Sequence, residues 1–232
     1  MSQLAMALGV QFESRTVTVE AGPNLEARCR EARYGVLPVG VMTGHTADDR
    51  AETMLLNLMR GAARSGMAPL APGPTHPIAA LRRSETEAVC AELGLDVVQD
   101  PTNTDPAFAR NRVRHELVPL LNDIAARDVV PAMVRQADLF GTEDAFLDAL
   151  AEEIDVHDAR VVAAAPEVLA RRSIRRLLFG LADAGHPPDA ASVARVLAVA
   201  RGEAVGTDVG GGWRVERSAQ RLRVVPPTQD GA

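Results

Sequence analysis

Aromatic side chains are scarce in this chain, which has one Trp, one Tyr and five Phe among 232 residues. The core must therefore be built from Ala, Leu and Val, which pack well between helices. At about 100–200 residues per domain, the length allows one large or two small globular units. The same scarcity argues against an extended aromatic platform for stacking single-stranded nucleic acid.

The charge balance limits the partners that this surface can bind. Acidic residues outnumber basic ones by 31 to 25, so the net charge is -6. This excludes a surface that attracts phosphates over its whole area, and any RNA contact must be local. All basic side chains are arginine, since the sequence contains no lysine. Arginine suits bidentate binding of phosphate and carboxylate, although a GC-rich genome explains the bias equally well.

The two cysteines and the N-terminal sequence indicate where in the cell the protein is expected. Cys29 and Cys90 stand far apart without the spacing of a disulfide framework or a zinc site. Neither a signal sequence nor an apolar run long enough to cross a membrane is present in the sequence. We therefore expect a soluble, cytoplasmic protein that has no membrane partner.

Hydrophobic periodicity predicts an α/β region followed by a helical one. Strands are expected at 10–20, 39–43 and 95–99, the second being a buried strand of a parallel sheet. The pattern predicts helices at 24–37 with Asn24 as the cap, 47–63, 84–94 with Ser84 and Glu87 as a capping box, 108–121, 132–154, 166–184 and 189–202. Two apolar stripes are expected to face the core, one of Ala51, Leu55, Leu58 and Met59 and one of Val113, Leu117 and Leu120.

These elements divide the chain into three predicted parts. Residues 1–122 form the α/β domain, 123–203 an α-helical linker domain, and 204–232 a short tail. Alternating runs on both sides of Ser218-Ala219-Gln220 predict a β-hairpin in that tail.

The segment from Gly44 to Glu52 is the first candidate site. It places His45 at the carboxyl end of a predicted strand, where open α/β sheets bind ligands. Asp48, Asp49 and Glu52 follow in the first turn of the next helix, and hard oxygen ligands suit Mg²⁺. The alternative is that these carboxylates only cap the helix and complement its dipole.

The helix after Asp100 is the second candidate site. Arg110, Asn111, Arg114 and His115 fall on one side of it, and two arginines four residues apart can clamp a phosphate or an RNA backbone. The alternative is a solvated helix face whose arginines pair with neighbouring Asp and Glu.

At these motifs the chain resembles the tRNA(Ile)-lysidine synthetase family, the PP-loop ligases that place lysine on the wobble cytidine of an isoleucine tRNA. The resemblance is carried by NLEARCREARY (24–34), TGHTADDRAETMLLNLMRG (43–61) and DPTNTDPAFARNRVRHELVPLL (100–121). It implies a partial doubly wound parallel sheet of the adenine nucleotide alpha hydrolase-like type, followed by the helical linker and the hairpin. The implied reaction uses ATP to adenylate the C2 oxygen of the cytosine, and the amine of lysine then displaces AMP.

The resemblance also implies roles for the candidate residues. His45, Asp48, Asp49 and Glu52 would be the catalytic residues of the adenylation site, with Asp48 and Glu52 holding Mg²⁺. Arg110, Asn111, Arg114 and His115 would contact the tRNA. The implied partners are ATP, Mg²⁺, free L-lysine and tRNA(Ile) with a CAU anticodon.

Two departures from the family pattern shape what we expect. No Ser-Gly-Gly-x-Asp-Ser loop occurs in the sequence, so the residues that would bind the nucleotide are unknown, and we expect an N-terminally truncated α/β domain. His76 precedes Pro77 where the resemblance leads us to expect an arginine, the residue that would bind a phosphate or carboxylate there. The alternative function is a non-catalytic tRNA-binding or assembly protein that has lost the nucleotide site.

Overall fold

The structure is a computed structural model that describes residues 2–20, 22, 25–98, 100–181 and 188–227. It separates into two compact units, residues 1–138 and residues 139–232. The helices are α1 (Ser2–Ala7), α2 (Leu25–Val36), α3 (Ala47–Met59), α4 (Arg83–Glu92), α5 (Ala109–Arg112), α6 (Val118–Ala125), α7 (Val130–Glu152), α8 (Ala159–Ala164), α9 (Glu167–Phe179) and α10 (Ala190–Arg201), with 3-10 turns at Arg64–Met67 and Pro101–Thr104. None of the helices described is long and apolar enough to cross a membrane.

The only sheet in the described ranges is small and antiparallel, and it lies in the second unit. Its strands β1 (Gly206–Asp208), β2 (Arg214–Ser218) and β3 (Arg221–Val225) are hydrogen bonded in that order. β2 and β3 form the predicted hairpin, with Val215 opposite Val224. The expectation of a C-terminal hairpin is confirmed, and β1 adds a third strand that the sequence pattern did not indicate.

The expected parallel sheet is absent from the described part of the first unit. Residues 10–20, 39–43 and 95–98 form no strand, and Gln99 lies outside the described residues. A strand needs a neighbour to accept its backbone hydrogen bonds. Thr43 finds one partner, the carbonyl of Thr75 at 2.9 Å, rather than a ladder. The prediction of three strands was therefore wrong for the described residues, while the mixed α/β character of the chain is retained.

Helix α3 positions the first candidate site and packs differently from the predicted stripe. Its buried face carries Ala47, Ala51, Met54, Leu55 and Leu56. The predicted members Leu58 and Met59 are about 60% exposed, at 58% and 60%. They lie in the last turn, because the helix ends four residues earlier than expected, just before a glycine with positive φ at position 61.

The second candidate site lies on a helix that a π-helical turn interrupts. Val113–Leu117 is π-helical and joins α5 to α6. A π turn adds one residue to the repeat and shifts the side chains that follow. Val113 is buried and Leu117 packs against it as predicted, but Leu121 replaces Leu120, which is 52% exposed.

The second unit is built around one aliphatic cluster. Helices α8, α9 and α10 and strands β2 and β3 supply its buried side chains, among them Ile174, Val196 and Val215. The hairpin therefore shares its core with the helices. The predicted division into 1–122, 123–203 and 204–232 stays a prediction. The expected Asn24 cap and part of the helix at 166–184 lie outside the described residues.

Candidate active site

Asp49 has a structural task at the beginning of α3. Its carboxylate accepts hydrogen bonds from the backbone N–H of Thr46 at 2.8 Å and from the Thr46 hydroxyl at 2.9 Å. Thr46 precedes the helix in an extended conformation, so this is a capping box. Asp49 thus fixes the angle at which the loop carrying His45 enters the helix.

Glu52 is the charge at the centre of the site, and its side chain is only 2% exposed. Arg114 clamps it in bidentate fashion, with Nε 2.7 Å from Oε1 and Nη2 3.0 Å from Oε2. Arg83 adds a third bond from Nη2 at 3.1 Å. Both guanidinium groups also reach Asp49, at 3.4 Å and 3.2 Å respectively. A buried carboxylate needs this pairing, because an unpaired charge away from water is costly.

Asp48 is bound by the segment that begins α4. Its carboxylate accepts bonds from Arg82 Nε at 3.1 Å, Arg82 Nη2 at 2.9 Å and the backbone N–H of Arg83 at 2.7 Å. Arg82 also bonds to Asp128. Burial opposes ionisation of Asp48, but these hydrogen bonds and the two positive charges outweigh it and lower its pKa.

Arg110 is the cation that this network leaves incompletely paired. Its Nη2 donates to the hydroxyl of Thr53 at 2.7 Å. Its Nε is 4.0 Å from Glu52, is buried, and finds no acceptor within hydrogen-bond distance among the described residues. Among the described residues, Arg110 therefore makes no hydrogen bond to a carboxylate.

His45 lies in the loop that precedes α3, next to the Thr46 cap. Its Nδ1 is 2.6 Å from the hydroxyl of Thr43, and its ring is 5.5 Å from that of His76 between centroids. Burial lowers the pKa of His45, and Arg110, His76 and Arg30 lower it further, while Asp49 opposes them. The imidazole is thus kept neutral around pH 7 and available to accept a proton.

A family model described as a PP-loop domain matches residues 1–121. The tRNA(Ile)-lysidine synthase of Rhodococcus erythropolis is 39% identical over 246 residues, which cover 97% of this chain and 75% of the relative. The chain belongs to the tRNA(Ile)-lysidine synthase family. The relative from Mycobacterium tuberculosis H37Rv is 37% identical over 248 residues, covering 98% of this chain and 74% of its own length. For Nocardia farcinica the identity is 40% over 192 residues, covering 75% of this chain but only 60% of the relative.

This member of the lysidine synthase family brings most of its predicted site residues together. Asp49 and Glu52 from the first motif meet Arg114 from the second, while Asp48 joins them through Arg83. Asn111 does not join the network. It is 8% exposed, and its amide donates to the carbonyls of Thr102 at 2.7 Å and Asp105 at 2.9 Å.

His115 also stands apart from the cluster. It is exposed, and its Nε2 is 3.2 Å from the carbonyl of Asn103. Its side chain can therefore reach a partner in solution, whereas that of Asn111 cannot without giving up its internal bonds. The assignment of both residues to tRNA binding stays a prediction.

The arrangement does not fit the magnesium site expected at Asp48 and Glu52. In the described ranges no three His, Cys, Asp or Glu side chains converge as metal ligands would. The lone pairs that would bind a cation accept hydrogen bonds from Arg82, Arg83 and Arg114 instead.

Sequence patterns missed Arg82 and Arg83, which carry much of the network. The predicted capping box at Ser84 and Glu87 is wrong, because the helix begins at Arg83 and the N–H of Arg82 donates to Glu85 at 2.6 Å. The sequence offered one signal for them. Two consecutive arginines stand at the predicted start of a helix, downstream of the acidic first turn of α3. Their partners on α3 lie 31–35 residues away in sequence, which periodicity does not reveal.

Proposed function

We propose that this chain takes part in the ligation that gives its relatives their name, the ATP-dependent attachment of lysine to C2 of the wobble cytidine of tRNA(Ile). The observation that supports the proposal is the bidentate contact between Glu52 and Arg114. It unites two of the three stretches that carry the family resemblance, 43–61 and 100–121, in one charged cluster. ATP, Mg²⁺, free L-lysine and the CAU anticodon belong to this proposal.

The cluster suggests different tasks for its members. The carboxylates of Asp48, Asp49 and Glu52 are already paired with arginines, Asp48 with Arg82 and the other two with Arg83 and Arg114, so we infer that these carboxylates and Arg114 act as positioning residues. Arg110 has a buried Nε with no hydrogen-bond acceptor among the described residues. Its positive charge would stabilise the negative charge that develops on a phosphate group during adenylation.

The direct test is lysidine formation by the purified chain. The chain is incubated with ATP, magnesium, isotopically labelled lysine and a tRNA(Ile) transcript with a CAU anticodon. Nuclease digestion and mass spectrometry then measure labelled lysidine. We expect product that depends on ATP and is absent from a transcript with a different anticodon. If tRNA binds but no labelled nucleoside forms under any of these conditions, the ligation proposal fails.

One observation favours a second function, tRNA binding without catalysis. Each carboxylate of the first motif is already paired with arginine and is not free to bind a metal or a nucleotide. Such a protein would bind tRNA without ATP at ~0.2 M salt, where weak nonspecific contacts fade. It would not exchange pyrophosphate into ATP. Pyrophosphate exchange would exclude this alternative.

A further inference from the structure

Thr53 lies in the middle of α3, and its hydroxyl is engaged in two hydrogen bonds. As a donor, its Oγ1 bonds to the backbone carbonyl of Asp49, one helical turn earlier, at 2.7 Å. A threonine hydroxyl has one proton to donate and two lone pairs that accept. Because the helix carbonyl already takes the proton, this hydroxyl can serve any other group only as an acceptor.

Arg110 is the group that uses this acceptor. Its Nη2 donates to Thr53 Oγ1 at 2.7 Å, which links α5 to α3 across 57 residues of sequence. A hydrogen bond from a charged donor is stronger than one between neutral groups, and the guanidinium group is planar. Fixing one nitrogen of a planar group restricts how the whole group can turn. Thr53 therefore limits where the other nitrogens of Arg110 lie.

Glu52 is the carboxylate that Arg110 approaches without bonding to it. The distance from Arg110 Nε to Glu52 Oε2 is 4.0 Å, which is too long for a hydrogen bond. Both oxygens of Glu52 already accept bonds from Arg114, and Oε1 also accepts one from Arg83. The Nε of Arg110 is buried and has no acceptor among the residues that the structure describes. A buried donor without a partner costs free energy, so some contact must hold Arg110 in this position.

The bond to the Thr53 hydroxyl is the contact that can hold it. If the hydroxyl were absent, a movement of about 1 Å would bring Arg110 Nε within hydrogen-bond distance of Glu52. The attraction between opposite charges favours that movement. Arg110 would then be a third guanidinium group on Glu52, beside those of Arg83 and Arg114. Its positive charge would be neutralised within the protein.

We propose that Thr53 is a positioning residue that keeps Arg110 out of the Glu52 ion pair and so leaves its charge available to the substrate. Thr53 itself touches no reacting atom. The consequence for the reaction rests on the proposed function, in which Arg110 stabilises charge on a phosphate group. The position of Arg110, in contrast, can be measured without any reaction.

NMR of arginine side chains measures that position in the full chain. The Nε–Hε signal of Arg110 is the one that disappears in Arg110→Lys. The Nε of Arg114, which donates to Glu52 at 2.7 Å, gives the reference signal for an N–H bonded to a carboxylate. In Thr53→Val, which keeps the shape but lacks the hydroxyl, we expect the Arg110 signal to move toward that reference. In Thr53→Ser, which keeps the hydroxyl, the signal should stay in place.

Steady-state kinetics of lysidine formation measures the consequence for the reaction. Thr53→Val should lower kcat about tenfold and change the KM for ATP and for lysine by no more than about twofold, because Arg110 acts on charge that develops in the transition state. Thr53→Ser should recover most of the lost rate. Arg110→Lys should also slow the reaction, and adding Thr53→Val to it should cause little further loss, since the two residues act as a unit.

Thr86→Val is the matched control. The Thr86 hydroxyl also donates to a backbone carbonyl in a helix, that of Arg83 at 2.7 Å, but it accepts no bond from an arginine side chain among the described residues. Its loss should change neither kcat nor the Arg110 signal. This control separates the bond to Arg110 from the bond to the helix backbone, which both threonines make.

The proposal is overturned if the Arg110 signal of Thr53→Val matches that of the unmodified chain, or if kcat falls no further in Thr53→Val than in Thr86→Val. A chain that forms no lysidine would refute the proposed function, and the NMR comparison would still decide the role of Thr53. A signal that moves in Thr53→Val and returns in Thr53→Ser would then support the restraint on Arg110 independently of catalysis.

Discussion

The two units of this chain have different interiors. Among the described residues of 139–232, a single cluster contains twelve buried side chains, all of them apolar, from α8, α9, α10, β2 and β3. Among those of 1–138, the apolar clusters contain three buried residues each. The first unit instead buries two full charges on α3, Arg50 and Glu52, each 2% exposed.

This difference determines how each unit tolerates change. Hydrophobic burial is non-directional, so the second unit responds mainly to lost volume. Buried ions need particular partners at particular angles, as Glu52 has in Arg83 and Arg114 and Arg50 has in Asp138 at 2.5 Å. The first unit therefore responds to the loss of a single partner. The same charged interior supplies the cluster to which we assign the chemistry.

The largest effect is expected from Glu52→Gln. This change keeps the shape but removes the charge that Arg83 and Arg114 compensate, and breaking a buried pair costs about 3–5 kcal/mol. Hydrogen exchange of α3 amides should show the loss, while α10 amides stay protected. Glu116→Gln breaks an exposed pair with Arg112 that solvent screens, and it should leave the stability nearly unchanged. Equal effects of the two substitutions would remove the contrast between the units.

The reciprocal change is Ile174→Ala in the second unit. Ile174 is fully buried in the aliphatic cluster, and removing its side-chain atoms leaves a cavity that costs about 2–5 kcal/mol. Exchange should accelerate in α9 and α10 and not in α3. Val161→Ala, at an exposed position of α8, serves as the control and should change stability by about 0.5 kcal/mol or less. If α3 amides lose as much protection as α9 amides, the units do not respond separately.

A smaller effect on the stability of the first unit is expected at low pH. The pKa of Asp48 in the folded chain is lower than usual, because hydrogen bonds from Arg82 and the Arg83 backbone outweigh its burial. The ionised form therefore stabilises the fold above the unfolded pKa, about 3.9, and this contribution is lost as the pH falls through the folded pKa. Because the ion pair between Asp48 and Arg82 is partly exposed, we expect the ionised form of Asp48 to add about 1 kcal/mol or less to the free energy of unfolding.

Asp48→Asn provides the comparison for that prediction. The variant should be less stable than the unmodified chain near neutral pH, and the difference should vanish at the acid end. The measurement is stability by denaturant titration at a series of pH values, followed through a signal from α3. A difference that stays constant down to the acid limit would show that ionisation of Asp48 does not stabilise the first unit.

Sequence patterns predicted the local elements well and the long-range ones poorly. Helices α2 and α10 lie within one or two residues of their predicted bounds, because periodicity and caps are read within a few residues. A strand also depends on a partner elsewhere, which alternation at 10–20 could not supply. Periodicity also did not predict the π turn at Val113–Leu117. It therefore did not predict that Leu121, rather than Leu120, lies on the buried face.

The candidate site shows the same division. The residue types at 45–52 and 110–114 marked two charged motifs, and both lie in one network. What each carboxylate binds depends on Arg82 and Arg83, whose positions come from the fold around α4. His45 and His76 show most clearly what sequence patterns do not reveal. They are 31 residues apart in the sequence, and their rings are neighbours because the two loops that carry them pair.

The smallest expected effect concerns the turn between β2 and β3. Ala219 and Gln220 both have positive φ, at 47° and 63°, a conformation that costs an L-residue energy and suits glycine. Gln220→Gly should therefore stabilise the second unit by about 0.5 kcal/mol, after the entropy of the unfolded chain and the lost exposed bond to Arg217 are counted. Thermal unfolding of the second unit measures it.

Ser218→Gly, one position outside that turn, is the matched control for Gln220→Gly. Residue 218 is paired with Arg221 in a regular strand, where glycine costs about 0.5–1 kcal/mol. Opposite signs for the two glycine substitutions would tie the effect to backbone conformation. Because the carbonyl of Gln220 still accepts the N–H of Ala159 in the variant, the aliphatic core should stay intact. A destabilised Gln220→Gly would mean that side-chain contacts, rather than φ, govern this turn.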